Sequence, residues 1–332
     1  MEGSCVRARG AALILGLETS CDETAAALVS PEGEIRSSVV SSQADLHARF
    51  GGVVPEIASR RHLELVLPVV REALGEAGAS LDDIESVAVT QGPGLVGALL
   101  VGLAAAKALA WGRGLPLVPV NHLHGHVASL YFEPAPLEPP LLCLLASGGH
   151  TMLVDVRERG GFRPIGTTLD DAAGEAFDKG ARLLGLGYPG GAELDRLARE
   201  GDPEAFSFPV ARLAGLDFSF SGVKTALLYE VRKQEPELTA RRADLAASYQ
   251  RAIVRALAQR TLEAAEHTGA ERIAIVGGVA ANSELRAALP DATAPPLHLC
   301  TDNAAMIASA ARYTKAIPAP GYLGLDAFSS AA

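Results

Sequence analysis

The strongest constraint on the fold is a pattern of predicted elements that occurs twice along the chain. Residues 13–29 and 141–156 each read as a strand, a polar or glycine-containing turn, and a second strand. Residues 86–100 and 272–289 each read as a strand, a glycine turn and a helix. The two patterns follow each other in the same order in both halves. Repetition of this kind is typical of a duplicated α/β domain.

Length and composition also favour two domains. A chain of 332 residues exceeds the usual size of one domain, and its 48% of hydrophobic residues allow a large core. A proline-rich connector at residues 133–140 and a short strand at Leu297–Leu299 are further predictions. The predicted division is a first domain at 11–140 completed by the C-terminal helix at 303–316, a second domain at 141–302 with a helical insertion around 171–267, and tails at 1–10 and 317–332.

Charge and cysteine content exclude several classes of protein. A net charge of −10 argues against an extended basic surface that binds nucleic acid. Any contact with nucleic acid would therefore use local basic patches or partner proteins. Four cysteines without C-x-x-C spacing indicate neither a disulfide framework nor a cysteine zinc site. The apolar run before Glu18 is too short for a signal sequence or a membrane helix. We therefore expect a soluble, cytoplasmic protein with no membrane partner.

The segment VNHLHGHVA, at residues 120–128, carries the clearest ligand pattern. His122 and His126 are four residues apart, so a helix would present both imidazoles on one face, where they could bind a metal ion. His124 would point away from that face. The spacing alone is equally compatible with histidines that cluster by chance, one of them bonded to a backbone carbonyl.

Glycine-rich turns form a second candidate site. The turns at 91–94 and 147–150 would offer free backbone N–H groups, and the first of them also precedes a helix, whose N-terminal end carries positive charge. Single glycine turns are common in any α/β protein. Two hairpin turns, at 19–24 and 147–150, and two strand–glycine–helix turns, at 91–94 and 277–278, recur in the same order in both halves. The sequence therefore favours a nucleotide bound between two such domains.

Nine longer motifs give the chain a more specific resemblance. The order of elements resembles the actin, Hsp70 and sugar-kinase (ASKHA) superfold, which implies two duplicated α/β domains facing a nucleotide cleft. The motifs resemble those of the universal family that synthesises threonylcarbamoyladenosine in tRNA, in its bacterial TsaD type, formerly named glycoprotease. The motifs are LGLETSCDET (15–24), GGVVPEIASRRH (51–62), GPGLVGALLVG (92–102), NHLHGH (121–126), SGGHT (147–151), DDAAGEAFDKGARLLGLGYPGG (170–191), DFSFSGVKT (217–225), GGVAANSELR (277–286) and CTDNAAMIA (300–308).

This resemblance implies an acyltransferase. Family members transfer the threonylcarbamoyl group of threonylcarbamoyl-AMP to N6 of the adenosine 3′ of the anticodon, in tRNAs that read codons starting with A, and release AMP. A divalent metal, iron (Fe²⁺) or zinc, is held by residues that match His122, His126 and Asp302, and Mg²⁺ can accompany the nucleotide. His124 stands where many bacterial members have Glu, and we expect it outside the ligand set. Asp302 could otherwise cap a helix, a role that either neighbouring residue could also fill.

The family's nucleotide-binding residues also have counterparts here. Turn amides would face phosphate, and carboxylates would accept hydrogen bonds from ribose hydroxyls, although such carboxylates are more often surface groups of helices. Glu18 and Asp22 are the candidate catalytic carboxylates, and with Glu23 they are expected to border the phosphate or the metal. The matching nucleotide-binding residues are Leu145, Ala146, Ser147, Gly148, Gly149, Asp178, Gly191, Asp195 and Asn282.

The resemblance also implies partners. These are tRNA, a TsaB-like paralogue that resembles the first half of this chain, and a small TsaE-like ATPase, with the donor made by a TsaC-type synthase. The helix near Glu56–Leu74 is the predicted docking surface, and replacement of Ile57 or Leu65 by Asp is expected to abolish pairing.

Three other functions remain as alternatives. A metallopeptidase of the H-E-x-x-H type needs a Glu beside its first histidine as general base, and Leu123 occupies that position. An ATP-dependent kinase or ATPase of the same superfold would share the nucleotide site but favour magnesium and oxygen ligands. A scaffold that binds nucleotide only for assembly is the third alternative.

Overall fold

A computed structural model describes residues 12–234 and 238–330. The chain divides into two compact units. The first unit runs to Gln43, resumes over Pro55–Leu137 and resumes again at Asn303, whereas the second contains Ala44–Val54 and Glu138–Asp302. The predicted tail at residues 1–10 lies outside the described residues.

Both units combine a sheet with packed helices. The strands are β1 (Leu13–Glu18), β2 (Glu23–Val29), β3 (Ile35–Ser42), β4 (Ile84–Gly92), β5 (Leu117–Asn121), β6 (Leu141–Ala146), β7 (Thr151–Val156), β8 (Arg163–Thr167) and β9 (Ile273–Val276). The helices are α1 (Ala44–Ala48), α2 (Pro55–Glu76), α3 (Val96–Arg113), α4 (His122–Ala128), α5 (Ala173–Leu183), α6 (Gly190–Ala198), α7 (Ser221–Lys233), α8 (Leu238–Thr268), α9 (Ser283–Ala288), α10 (Leu297–Cys300) and α11 (Ala304–Ala311).

The two sheets share one topology. The first sheet has the order β3-β2-β1-β4-β5, in which β1 pairs antiparallel with β2 and parallel with β4. The second has the order β8-β7-β6-β9, in which β6 pairs antiparallel with β7 and parallel with β9. Strands β6 to β9 therefore repeat the arrangement of β1 to β4. The predicted duplication of an α/β domain is confirmed.

The core of the first unit depends on a helix from near the C-terminus. Every residue of α11 is buried, and the helix packs across β1 and β2 and against α4. Gly16 on β1 permits this contact, because a Cβ atom there would lie only 2.3 Å from the carbonyl oxygen of Ala304. A side chain at residue 16 would displace α11 from the sheet.

Among the described helices, α3 is long and apolar enough to cross a membrane by length and composition. Its packing gives another explanation for that composition. Leu99, Leu103, Ala106 and Ala110 are buried in the core of the first unit, where α3 contacts β4 and α2. These four residues therefore serve the interior of an α/β unit.

The predicted strand at Leu297–Leu299 is wrong, because these residues begin the short helix α10. Thr293 makes the bridge beside β9 instead, through hydrogen bonds between its backbone and Ile273 and Ile275. Pro296 precedes the helix as its N-cap residue. Two leucines on either side of a histidine do not distinguish a strand from a helical turn.

The predicted tail at 317–332 is ordered over its described residues and belongs to the first unit. Ile317 pairs with Leu117 of β5 through two backbone hydrogen bonds of 2.8 and 3.0 Å. Tyr322 is fully buried in the core, and the Lys107 ammonium donates to the carbonyl oxygen of Leu325 at 2.6 Å. The prolines and glycines of this segment are typical of turns, so its sequence does not indicate that it contacts the core.

Replacement of Tyr322 by alanine tests whether this segment stabilises the first unit. We expect Tyr322→Ala to lower the free energy of unfolding by about 3 kcal/mol, because it removes a buried aromatic ring. Leu323→Ala is the control, since Leu323 is 47% exposed, and it should change stability by less than about 0.5 kcal/mol. Urea unfolding followed by circular dichroism measures both. Equal effects would show that the segment is not part of the core.

Candidate functional site

The two spaced histidines lie, as predicted, on one short helix. Helix α4 begins at His122, directly after β5, and Asn121 caps it by accepting a hydrogen bond from the Leu123 amide at 2.9 Å. His122 and His126 are both buried, and their ring centroids are 4.7 Å apart. The strand and its cap therefore place two imidazoles side by side.

Asp302 joins these histidines because of the helix that follows it. The N-cap of α11 is Asn303, whose side chain accepts from the Met306 amide at 2.9 Å, so the capping role does not fall to Asp302. Because α11 packs against α4, Asp302 is brought to the histidines, and the possible ligand atoms of His122, His126 and Asp302 all lie within 4.8 Å of one another.

The donor set of this cluster fits a divalent transition metal. Two imidazole nitrogens and one carboxylate oxygen are ligands that suit zinc and ferrous iron. Ligand atoms on a tetrahedral zinc ion lie about 3.3 Å apart, so small side-chain rotations would close the cluster around an ion. His124 is half-buried and stands outside the cluster, and desolvation lowers the pKa of its imidazole.

Glu18 is placed behind His122. Its carboxylate is fully buried, Oε2 lies 3.0 Å from Nδ1 of His122, and the same oxygen accepts from the Thr90 hydroxyl at 2.6 Å. A carboxylate that holds the distal nitrogen of a histidine fixes the ring's orientation and tautomer. These contacts place Glu18 where it can orient His122, and its catalytic role stays a prediction.

The turn that carries Asp22 is braced by neighbouring elements. The amide of Gln43 donates to the carbonyl oxygen of Asp22 at 3.0 Å, and Ser42 donates to the Glu23 carboxylate at 2.9 Å. His62 of α2 is fully buried, with its Nε2 atom 3.0 Å from the carbonyl oxygen of Cys21. Asp22 is half-buried, so of the two predicted catalytic carboxylates it is the one that solvent can reach.

The glycine turn at residues 91–94 is used for packing. The Leu95 amide at the start of α3 donates to the carbonyl oxygen of Ser20 at 2.8 Å. Phe328 packs against Gly92, and its amide donates to the carbonyl oxygen of Gln91 at 3.3 Å. The prediction that this turn binds phosphate therefore gains no support from its contacts.

The second hairpin turn is open at its glycines. Ser147 closes the turn by donating its amide to the carbonyl oxygen of His150 at 2.8 Å, while Gly148 and Gly149 are exposed with free space where a Cβ atom would lie. Leu145 and Ala146, by contrast, are buried strand residues. They could offer a ligand only backbone groups, and the turn itself offers accessible amides.

A second glycine turn lies beside this hairpin. Gly277 follows β9 with a φ of +88°, and a Cβ atom there would lie 2.4 Å from the carbonyl oxygen of Ala146. Two features require glycine at residue 277: its left-handed backbone conformation and its close approach to the carbonyl oxygen of Ala146. The turn leads to Asn282, which caps α9 by accepting from the Leu285 amide at 2.9 Å.

Asp178 and Gly191 are brought together. The Oδ1 atom of Asp178 accepts from the amides of Gly190 and Gly191 at 2.8 and 3.2 Å, at the start of α6. The carboxylate therefore satisfies two of the amides that a helix N-terminus leaves without intrahelical partners. One turn later on α6, Asp195 is almost buried and pairs with Arg199.

Asp195 and Asn282 meet in a buried polar network that sequence analysis missed in part. Gln250 of α8 links them, with Nε2 3.2 Å from Asp195 Oδ1 and Oε1 2.8 Å from Asn282 Nδ2. A signal for Gln250 exists in the sequence. It lies four residues after Ala246 and three before Ile253 on the buried side of α8, where an apolar residue would be expected.

Asp170 and Asp171 connect the motif at 170–191 to the motif at 217–225. Neither residue was singled out from the sequence. Asp170 accepts from the amides of Phe220 and Ser221 at the start of α7. Burial acts to raise the pKa of Asp171, but hydrogen bonds and ion pairs from Lys179 and Lys224 outweigh it and hold that pKa below its ordinary value. Asp171 therefore stays ionised at neutral pH and anchors α7 to α5.

Comparisons with known proteins decide the family. The model of the family described as TsaD, tRNA N6-adenosine threonylcarbamoyltransferase, matches residues 34–309. The chain belongs to this family. The enzyme of that name from Symbiobacterium thermophilum is 57% identical over 310 residues, which cover 91% of each chain. The enzyme of that name from Anaeromyxobacter dehalogenans is 56% identical over 90% of this chain and 92% of its own.

Membership in the threonylcarbamoyltransferase family makes this chain an enzyme that transfers a threonylcarbamoyl group to adenosine in tRNA. A solved structure supports the fold. Component A of the (R)-2-hydroxyglutaryl-CoA dehydratase of Acidaminococcus fermentans matches with a TM-score of 0.55 at 16% identity, over 91% of this chain and 97% of its own. The predicted ASKHA-like fold is confirmed.

Glu18→Gln tests whether Glu18 orients a metal ligand. The glutamine keeps the size of the side chain but loses the carboxylate behind His122, so we expect the affinity for Zn²⁺ to fall about 10- to 100-fold. Competition with a chromophoric chelator measures the affinity. Glu85→Gln, which changes an exposed carboxylate on β4, is the matched control and should bind as the wild type does. Equal affinities for both variants would contradict the role of Glu18.

Proposed function

We propose that this enzyme takes its threonylcarbamoyl group from threonylcarbamoyl-AMP and transfers it to N6 of the adenosine 3′ of the anticodon in tRNAs that read codons starting with A. AMP is the second product. The observation that carries this proposal is the convergence of His122, His126 and Asp302 in a member of this family. The cytoplasm is the proposed location.

The three convergent residues would hold one divalent ion, zinc or Fe²⁺. When bound, such an ion supplies Lewis acidity and open coordination positions for the threonylcarbamoyl group. Glu18 would hold the His122 ring in place for this task. A Mg²⁺ ion accompanying the nucleotide is a further part of the proposal.

The second unit would bind the nucleotide part of the donor. The exposed amides of Gly148 and Gly149 suit a phosphate group, since they need no side chain to move aside. Asp178 and Asp195 would accept hydrogen bonds from ribose hydroxyls. Because these carboxylates are already held by Gly190 and Arg199, they would meet the ribose in a fixed orientation.

The reaction itself exchanges one bond for another at the carbamoyl carbon. The adenine N6 forms a bond to this carbon, N6 loses a proton, and the bond from the carbon to the phosphate oxygen breaks as AMP leaves. An aromatic amine is a weak nucleophile, so positioning should supply much of the rate. Asp22 is the carboxylate that we assign to accept the proton, because it is half-buried in the turn that follows Glu18.

The rival functions account less well for these residues. A metallopeptidase would need a general base where Leu123 is, and that side chain is buried and apolar. A kinase or ATPase of the same superfold would have no use for two buried imidazoles beside a carboxylate, since magnesium prefers oxygen ligands. The proposed transferase uses both the cluster of His122, His126 and Asp302 and the nucleotide-binding residues of the second unit.

Reconstitution tests the proposed function. We would combine the protein with threonine, bicarbonate, ATP, a TsaC-type synthase, a TsaB-like and a TsaE-like partner, and unmodified tRNA, and measure the modified nucleoside by mass spectrometry. We expect His122→Ala to lower product formation at least 100-fold, because one of three metal ligands is lost. His267→Ala, at an exposed position of α8, should retain full activity. No product with the wild type, or full activity of His122→Ala, would overturn the proposal.

We further propose that a TsaB-like paralogue docks on the outer face of α2 and α3. Ile57 and Leu65, the residues predicted to matter for docking, are half-buried, so the more exposed apolar residues of the same face make the sharper test. The exposed apolar residues of these two adjacent helices are Leu63, Leu67, Val96, Leu100 and Trp111. A paralogue that resembles the first half would present two matching helices, so the four helices could bury both apolar faces together.

Leu63→Asp tests this docking face. A charge at a side chain that is 66% exposed should leave the fold intact and abolish pairing with the paralogue. Size-exclusion chromatography of the mixed proteins measures pairing. Leu262→Asp is the control, since Leu262 is an exposed leucine of α8 in the second unit. Retained pairing of Leu63→Asp would place the interface elsewhere.

A further inference from the structure

We infer that Gln250 is a positioning residue for nucleotide binding, which it serves through Asp195 and Asn282. This inference rests on the proposed function, which assigns Asp195 to the ribose. Asn282 is assigned to the nucleotide by resemblance to the family. Gln250 belongs to none of the motifs that carry the resemblance. It lies on α8 with only 2% of its surface exposed, so it would touch the nucleotide only through its neighbours.

The amide of Gln250 bridges two side chains that come from different helices. Its Oε1 atom accepts from Nδ2 of Asn282 at 2.8 Å, and its Nε2 atom donates to Oδ1 of Asp195 at 3.2 Å. Asp195 lies on α6, and Asn282 caps α9. Gln250 thus joins three helices of the second unit at one point.

The bridge fixes the orientation of Asn282. Both hydrogens of its Nδ2 atom are used, one by Gln250 and one by Asp195 at 3.3 Å, while its Oδ1 atom accepts from the Leu285 amide. A flipped amide would direct Nδ2 at the Leu285 amide and lose every one of these bonds. Asn282 therefore has one orientation, and the start of α9 is held by it.

The bridge also sets which oxygen of Asp195 remains for a ligand. Oδ1 accepts from Gln250, from Asn282, and from both the amide and the hydroxyl of Ser283. Oδ2 instead pairs with Arg199 at 2.6 Å, whose side chain is 62% exposed. Oδ2 is thus the less occupied oxygen, with capacity left to accept from a ribose hydroxyl.

Loss of the bridge should weaken nucleotide binding more than it weakens the fold. Gln250→Met keeps an unbranched side chain of similar size, but leaves Asn282 and Asp195 each with one fewer partner in a buried setting. We expect the dissociation constant for AMP, measured by isothermal titration calorimetry, to rise about tenfold. Ser248→Ala is the matched control, because Ser248 is equally buried on α8 but bonds to Asp202 and Phe206 instead.

A double-mutant cycle separates positioning from a general effect on stability. In an Asn282→Ala background, Gln250→Met should raise the dissociation constant less than threefold, because the main partner of Gln250 is already absent. A purely structural role would give the same tenfold change in both backgrounds. Thermal unfolding of each variant shows whether it is folded at the temperature of the titration.

A second variant decides the matter if Gln250→Met does not fold. Gln250→Glu keeps an acceptor for Asn282 but places a carboxylate beside Asp195, so it should also weaken AMP binding at least tenfold. Unchanged AMP binding by the folded variants, with normal binding by the wild type, would overturn the role of Gln250 alone. Absence of AMP binding by the wild type and by Ser248→Ala would overturn the nucleotide site itself, and with it this inference.

Discussion

The contact between α11 and the first sheet is the constraint on which the convergence of His122, His126 and Asp302 depends. Asp302 is 176 residues (302 − 126) from His126 in sequence, and it reaches the histidines only because α11 packs across β1 and against α4. Gly16 makes that packing possible, since any Cβ atom on this residue would collide with the backbone of α11. A residue that has no side chain therefore determines whether these three side chains can converge.

Much of the first unit could be predicted from the sequence, because its signals are local. Alternating turns and apolar runs located the strands, and the four-residue spacing placed His122 and His126 on one helix. The role of Glu18 could not be predicted in this way. Its function depends on a distance to a residue 104 positions away, and a buried carboxylate looks in sequence like any other acidic residue of a turn. The C-terminal segment was missed for a similar reason, since only its long-range partners reveal Tyr322 as a core residue.

The second unit shows where assignment by residue type alone is incomplete. Asp178, Asp195 and Asn282 were predicted from motifs, and the structure places all three in one unit. Each of them also makes hydrogen bonds within the unit. Asp178 accepts from the first amides of α6, Asn282 caps α9, and Asp195 accepts from Gln250 and Ser283. Asp170 and Asp171 have comparable roles at the start of α7 and beside α5. Polar groups that hold helices together can thereby offer their remaining lone pairs to a ligand in a fixed direction.

The order of the units along the chain has a consequence for synthesis. The residues of the second unit all precede Asn303, so that unit can fold while the ribosome is still adding α11 and the segment that contains Tyr322. The first unit, although it begins earlier, lacks a central helix until these last parts emerge. Until then, the face of its sheet that contains Gly16 is not covered by α11. The side chains of His122, His126 and Asp302 can therefore meet only after α11 has been synthesised.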